Sequence, residues 1–180
     1  SDANQTAKLV DSMVDLDGIV FLRTTRAETP VIYEVGEDFP VGGAKVVRSS
    51  DDDEVTLIGA GITLHEALKA ADSLAEEGVT ARVIDVYSVK PVDVETLRAA
   101  AEATGRFVIS EDHWPEGGLG EAVLSAFADA DDSPKVIHLA VREMPGSGKP
   151  AELLAAAGID AEHIAAAARR LVTSTVAATG

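Results

Sequence analysis

At 180 residues, 46% of them hydrophobic and 26% charged, the chain is long enough for one full core and part of a second. Thirty-one acids against fifteen bases, a formal net charge of −16, exclude a general nucleic-acid or anionic-membrane surface, because phosphates must be met by a basic stripe; any anion site has to be local. The absence of cysteine excludes a disulfide frame and a thiolate metal site, and no apolar run approaches the roughly 18 residues that span a bilayer. The opening "SDANQTAKLV" lacks the plan of a secretory signal, so a cytoplasmic protein is expected; "SDA" itself is open to being an appended leader.

Ala7, Val10, Met13 and Val14 predict a short helix, and "GIVFL" (18–22) and "PVIYEV" (30–35) predict two strands, which is too little to close a core. The polar, acidic "SSDDDE" (49–54) then reads as a domain boundary, so that residues 1–48 are the tail of one domain and 49–180 a complete second one. From residue 55 strand-like and helix-like patterns alternate with short turns, which predicts an α/β fold on a largely parallel sheet.

"VTLIGAG" (55–61) is the first of these strands. The following helix, Thr63 to about Glu77, places Leu64, Ala67, Leu68, Ala71, Leu74 and Ala75 on one face, with Thr63 and Glu66 spaced as a capping box and Gly78 as its stop. "ARVIDVY" (81–87) is a strand, and Pro91 and Asp93 introduce a helix whose Leu97, Ala100 and Ala101 face inward before Gly105. "RFVIS" (106–110) is another strand, followed by the glycine-rich "EGGLGEA" and a helix through Val123, Leu124 and Phe127. "DADDSP" leads to a last strand, "KVIHLAV" (135–141), and Asp160 caps a terminal helix presenting Ile164, Ala167, Ala168 and Leu171.

Most short motifs fail on inspection. "GAGITL" puts Leu64 where a dinucleotide fingerprint needs its third glycine, and His65-Glu66 has Lys69 where a zinc helix needs its second histidine. "DDDE" and "DADD" lack the ligand alternation of a calcium loop and read as solvated. Glu111, Asp112 and His113 directly follow a strand, where ligands of open α/β sheets sit, so acid/base work is conceivable; no nucleophile accompanies them, and a tight turn with Trp114 covering a neighbour is the simpler reading.

"LRTTRAETP" (22–30) sets Arg23 and Arg26 behind an apolar run. On spacing alone the two are solvated or paired with a local acid such as Glu28. The alternative is an anion site, since the carboxyl end of a strand is where a ligand meets such a sheet and the planar fork of arginine grips phosphate oxygens in pairs.

"DLDGIVFLRTTRAETPVIYEVGEDFPVGGAKVV", "VTLIGAGITLHEALKAADSLAEEGVTARVIDVYSVKPVD", "EDHWPEGGLGEAV" and "SGKPAELLAAAGID" together resemble the carboxyl-terminal part of transketolase, its animal-type branch in particular, over about residues 7–172. The resemblance implies the end of a pyrimidine-binding domain followed by a C-terminal domain: a three-layer α/β/α fold on a mostly parallel five-stranded sheet with one antiparallel strand, supplied by "AKVVR" (44–48). It implies a homodimeric enzyme that moves a two-carbon ketol unit between ketose and aldose phosphates, with thiamine diphosphate and Mg²⁺ providing the chemistry while the protein binds and orients. It further implies that Arg26, which precedes Pro30 by four residues at the end of its strand, binds the terminal phosphate of the sugar, a role that does not extend to Arg23.

The family's G-D-G diphosphate and metal motif, its activating glutamate and its substrate histidines have no counterpart here, so the resemblance implies that this chain binds no cofactor or metal itself, has no catalytic residue and is inactive without the N-terminal transketolase domains. Dimer contact is expected through "EDHWPEGG", with its single tryptophan in a polar loop. The sequence leaves three alternatives: a deoxyxylulose phosphate synthase, the beta subunit of a 2-oxo acid dehydrogenase, or a free-standing flavodoxin-like module working through Glu111 to His113. "RTTRAETP" and "GAGITLHEAL" favour transketolase over the first two, and the incomplete first 48 residues speak against the third.

Overall fold

A computed structural model describes residues 1–176. The last four residues of the expected second domain lie outside the described residues. Five short strands form one sheet: β1 (Lys45–Arg48), β2 (Val55–Gly59), β3 (Ala81–Asp85), β4 (Arg106–Ser110) and β5 (Lys135–Leu139), in the spatial order β1-β3-β2-β4-β5. β1 runs antiparallel to β3 and the other pairings are parallel, which is the mixed five-stranded sheet with one antiparallel strand that the resemblance implies.

Side-chain alternation sorts the strands onto two faces. Leu57, Val83 and Val108 point to one face, against α2 (Ile62–Glu76) and α6 (Ala161–Val176) through Leu64, Leu74, Ile164 and Ala168. Ile58, Ile84, Phe107 and Ile109 point to the other, against α3 (Val94–Thr104) and α4 (Leu119–Ser125) through Leu97, Ala100, Leu119 and Val123. All five residues of β2 are buried, so its apolar run is unbroken because both faces are covered. The one polar side chain in it, Thr56, is satisfied by Thr104 Oγ1 at 2.9 Å. A further helix, α5 (Pro150–Ala157), precedes α6.

The caps hold as expected at Asp93, whose side chain accepts from Thr96 N–H at 2.9 Å, and at Asp160, which accepts from His163 N–H at 3.0 Å. The capping box of α2 does not form. Gly61, with φ +59°, is the N-cap; Thr63 Oγ1 donates to the Ala60 carbonyl, while Glu66 accepts from the first amide of α6, Ala161 N–H, at 3.0 Å. Glu66 therefore ties two helices together rather than closing its own. The helix expected through Val123, Leu124 and Phe127 ends at Ser125; Val123 and, just beyond the helix, Phe127 are buried, while Leu124 is exposed.

The first 44 residues depart most from expectation. α1 (Ala3–Met13) forms, yet Ala7, Val10 and Val14 face outward, and the helix is fastened by polar groups. Asp2, buried at its N-cap, accepts from the amides of Gln5, Ile32 and Tyr33, and Asp85 at the end of β3 accepts from Gln5 Nε2 and the Tyr33 hydroxyl. Ser1 also takes part, its hydroxyl donating to Asp85 and accepting from Gly61 N–H. "GIVFL" and "PVIYEV" form no strands: between Met13 and Lys45 the chain has no helix or strand, and Ile19, Phe21, Val31 and Val35 are exposed. A strand needs a partner edge for its amides and carbonyls, and none of the described residues offers one there.

Candidate functional site

The sheet order reverses direction between β2 and β4. β3 follows β2 in sequence on one side of it, and β4 stands on the other. Beyond β2 the chain turns into α2 on one face; beyond β4 it turns into α4 on the opposite face. The two exits therefore diverge, and the carboxyl edge between them is the crevice position at which open α/β sheets receive ligands.

Residues 22–30 pass along this crevice. The Thr25 methyl lies 3.9 Å from where a Cβ on Gly61 would stand, just beyond β2. Arg23 reaches the other wall, just beyond β4: its Nη2 is 2.5 Å from Asp112 Oδ1 and its Nη1 donates to the Asp112 carbonyl at 3.1 Å. Arg23 is therefore paired, with a residue 89 positions away rather than with Glu28. Arg26, on a bend of the same segment, is exposed and has no hydrogen bond or ion pair among the described residues. In a chain with sixteen excess negative charges, a free guanidinium at the ligand-binding edge is a local cation able to hold an anion through paired N–H groups.

Glu111, Asp112 and His113 are neighbours in sequence with three different environments. Asp112 faces Arg23, and His113 is exposed, its Nδ1 2.7 Å from the Trp114 carbonyl. Glu111 turns inward and is almost fully buried. It accepts from Leu119 N–H at 2.6 Å and Gly120 N–H at 3.0 Å, and its Oε1 lies 2.5 Å from His138 Nε2 on β5. Burial alone pushes this carboxyl up; the His138 bond and the Gly120 and Leu119 amides outweigh it and hold it below the usual carboxylate range.

That arrangement explains "EGGLGEA". A Cβ at Gly118 would lie 2.0 Å from Glu111 Oε2, and one at Gly120 would lie 2.3 Å from the His138 ring, so these positions are glycine because the carboxylate and imidazole occupy the space. Glu111 is an anchor for the start of α4, not an exposed acid. The partner it uses, His138, is signalled in the sequence only as a polar residue inside the otherwise apolar "KVIHL".

Trp114 is 45% exposed at the tip of the β4–α4 connection. Asp53, read as part of a solvated run, turns inward to Ser50 and to Arg82 Nε, the latter at 3.3 Å. Among the described residues no group of three or more His, Asp and Glu side chains could hold a metal ion, and no helix is long and apolar enough to cross a membrane.

Comparison with known proteins gives the geometry a context. Residues 42–164 match the family "Transketolase, C-terminal domain". "Transketolase" of Homo sapiens is 51% identical over 174 residues, which is 96% of this chain and 28% of that protein. "Transketolase-like protein 1" of Bos taurus is 48% identical over 173 residues, 96% of this chain and 29% of that one. The chain thus spans less than a third of these relatives. Among solved structures, "Split gene transketolase, inactive beta4 tetramer" superposes with a TM-score of 0.89 at 34% identity, covering 96% of this chain and 56% of that one. "Transketolase from Leishmania mexicana" superposes with a TM-score of 0.55 at 21% identity over 74% of this chain and 18% of that one, a likeness of fold alone.

Proposed function

The chain belongs to the transketolase family through its C-terminal domain, and from that premise we propose that it is the carboxyl-terminal part of an enzyme transferring a two-carbon ketol unit from ketose to aldose phosphates. On this reading residues 1–48 end a pyrimidine-binding domain and residues 49–180 are the C-terminal domain, with β1 reaching across the boundary to join the sheet. Thiamine diphosphate with Mg²⁺ supplies the carbanion chemistry in the complete enzyme. On this reading the cofactor and its metal are held by parts of the complete enzyme outside this chain. What this chain contributes is substrate binding, framework and contact between copies in a homodimer.

The observation that carries the reading is Arg26, a guanidinium free of partners at the β2/β4 crevice while its neighbour Arg23 is tied down. Its planar fork takes two phosphate oxygens at once. The family's solved relative described as an inactive assembly supports the further reading that this part does not turn over substrate by itself.

In the complete enzyme Arg26→Ala should lower kcat/KM for phosphorylated donors by about 1.5 to 3 kcal/mol, the range of a charge-assisted bond. The effect should appear mainly in KM, since the phosphate is held equally before and during the reaction. Unchanged kinetics with phosphorylated donors would remove the assignment.

A further inference from the structure

Arg26 has to be held in place by something other than regular structure. No helix or strand is formed between Met13 and Lys45, so no backbone ladder fixes the segment that carries it. Among the described residues, the hydrogen bonds that residues 17–31 make to other segments are the two from Arg23 to Asp112, just beyond β4.

Asp112 is by contrast rigidly mounted. The residue before it donates its amide to the Leu139 carbonyl at 3.0 Å, and the carbonyl of the residue after it accepts from Val141 N–H at 3.0 Å. The Glu111 side chain is fixed a second time by Leu119, Gly120 and His138. Asp112 is therefore clamped on both sides to the exit of β5.

The contact between them fixes direction. One arm of the Arg23 fork meets the Asp112 carboxylate and the other meets the carbonyl of the same residue. The pair is partly open to solvent, with side chains 52% and 29% exposed, so it adds little to global stability. Two divergent bonds to one planar group nevertheless set the orientation of the segment, and Arg26 is only three residues further on. The pairing also neutralises a carboxylate that would otherwise face an incoming anion across the crevice.

We propose that Asp112, acting through Arg23, is a positioning residue for the substrate phosphate: it fixes the Arg26 segment over the crevice, so that the C-terminal domain sets the affinity for phosphorylated sugars without touching them. This rests on the assignment of Arg26 to that phosphate.

The test uses the complete enzyme and the ratio of kcat/KM for a phosphorylated ketose donor to that for the same ketose without phosphate. Asp112→Ala and Arg23→Ala are each made alone and in an Arg26→Ala background; the second leaves the 111–118 loop intact, so a folding defect there does not decide the result. Each single change should lower the ratio by roughly tenfold, through KM, as expected for misplacing a binding group by a fraction of its length. Asp112→Asn, which keeps a side-chain oxygen to accept from Arg23 Nη2 but loses the charge, should fall between them and the unmodified enzyme. In the Arg26→Ala background neither change should lower the ratio further. If Arg26→Ala lowers the ratio and Asp112→Ala and Arg23→Ala do not, the positioning role is overturned and the phosphate role stands. Equal losses in both backgrounds also overturn it. If Arg26→Ala itself leaves the ratio unchanged, the underlying assignment falls.

Discussion

On charge and spacing alone Arg23 and Arg26 are alike, since both follow an apolar run and both lie within reach of Glu28; the sequence separates them only through the family resemblance, by the interval from Arg26 to Pro30. In the structure they are separated by a contact 89 positions away, which no spacing rule encodes. The same holds for Glu111, legible as an acid at a strand end but not as a buried one, because its burial depends on the register that sets His138 beside it. Its carboxyl is held low in the fold, so its contribution to stability is present above the ordinary value of 4.5 and is lost as pH falls through the lower folded value. Glu111→Ala should cost about 2 to 4 kcal/mol at pH 7, because the Leu119 and Gly120 amides and the His138 ring lose their acceptor. Urea unfolding of this variant should also show a smaller loss of stability between pH 5 and 3 than the unmodified chain. An equal or larger acid loss would mean that Glu111 is not held as described.

The elements with strong local codes were legible. β2, β3 and β4 announce themselves as apolar runs bounded by glycine or polar residues, and α3 by Asp93 before it and Gly105, at φ +61°, after it. "GIVFL" and "PVIYEV" carry strand composition just as clearly and form none, since strand propensity expresses itself only against a partner edge. The capping box at Thr63 failed for a similar reason, with Glu66 drawn to a helix end that lies 95 positions away. The β4–α4 connection shows the reverse case, a polar loop that is rigid because Glu111 anchors it. It holds Trp114 exposed, and an aromatic side chain on a fixed loop is suited to contact between copies. In the proposed homodimer of the complete enzyme, Trp114→Ala should weaken association by about tenfold or more in sedimentation; an unchanged affinity would count against that contact.

At the scale of the whole molecule, the layered sheet of residues 45–139 is covered on both faces, whereas the stretch before it exposes Ile19, Phe21, Val31 and Val35. Polar groups, Asp2 and Asp85 above all, hold that stretch against the sheet. On the proposed reading the exposed apolar side chains are covered by the remainder of the pyrimidine-binding domain, and the crevice holding Arg26 becomes one wall of a sugar-phosphate site whose reacting centre lies outside this chain. The most direct measurement of that claim is ketol transfer from a ketose phosphate to an aldose phosphate, with thiamine diphosphate and Mg²⁺, by this chain alone and by the chain joined to or mixed with the N-terminal transketolase domains. No turnover is expected from the chain alone, and turnover is expected from the assembly, lost in large part with Arg26→Ala for phosphorylated donors. Ketol transfer by the chain alone, or an assembled enzyme indifferent to Arg26, would contradict that claim.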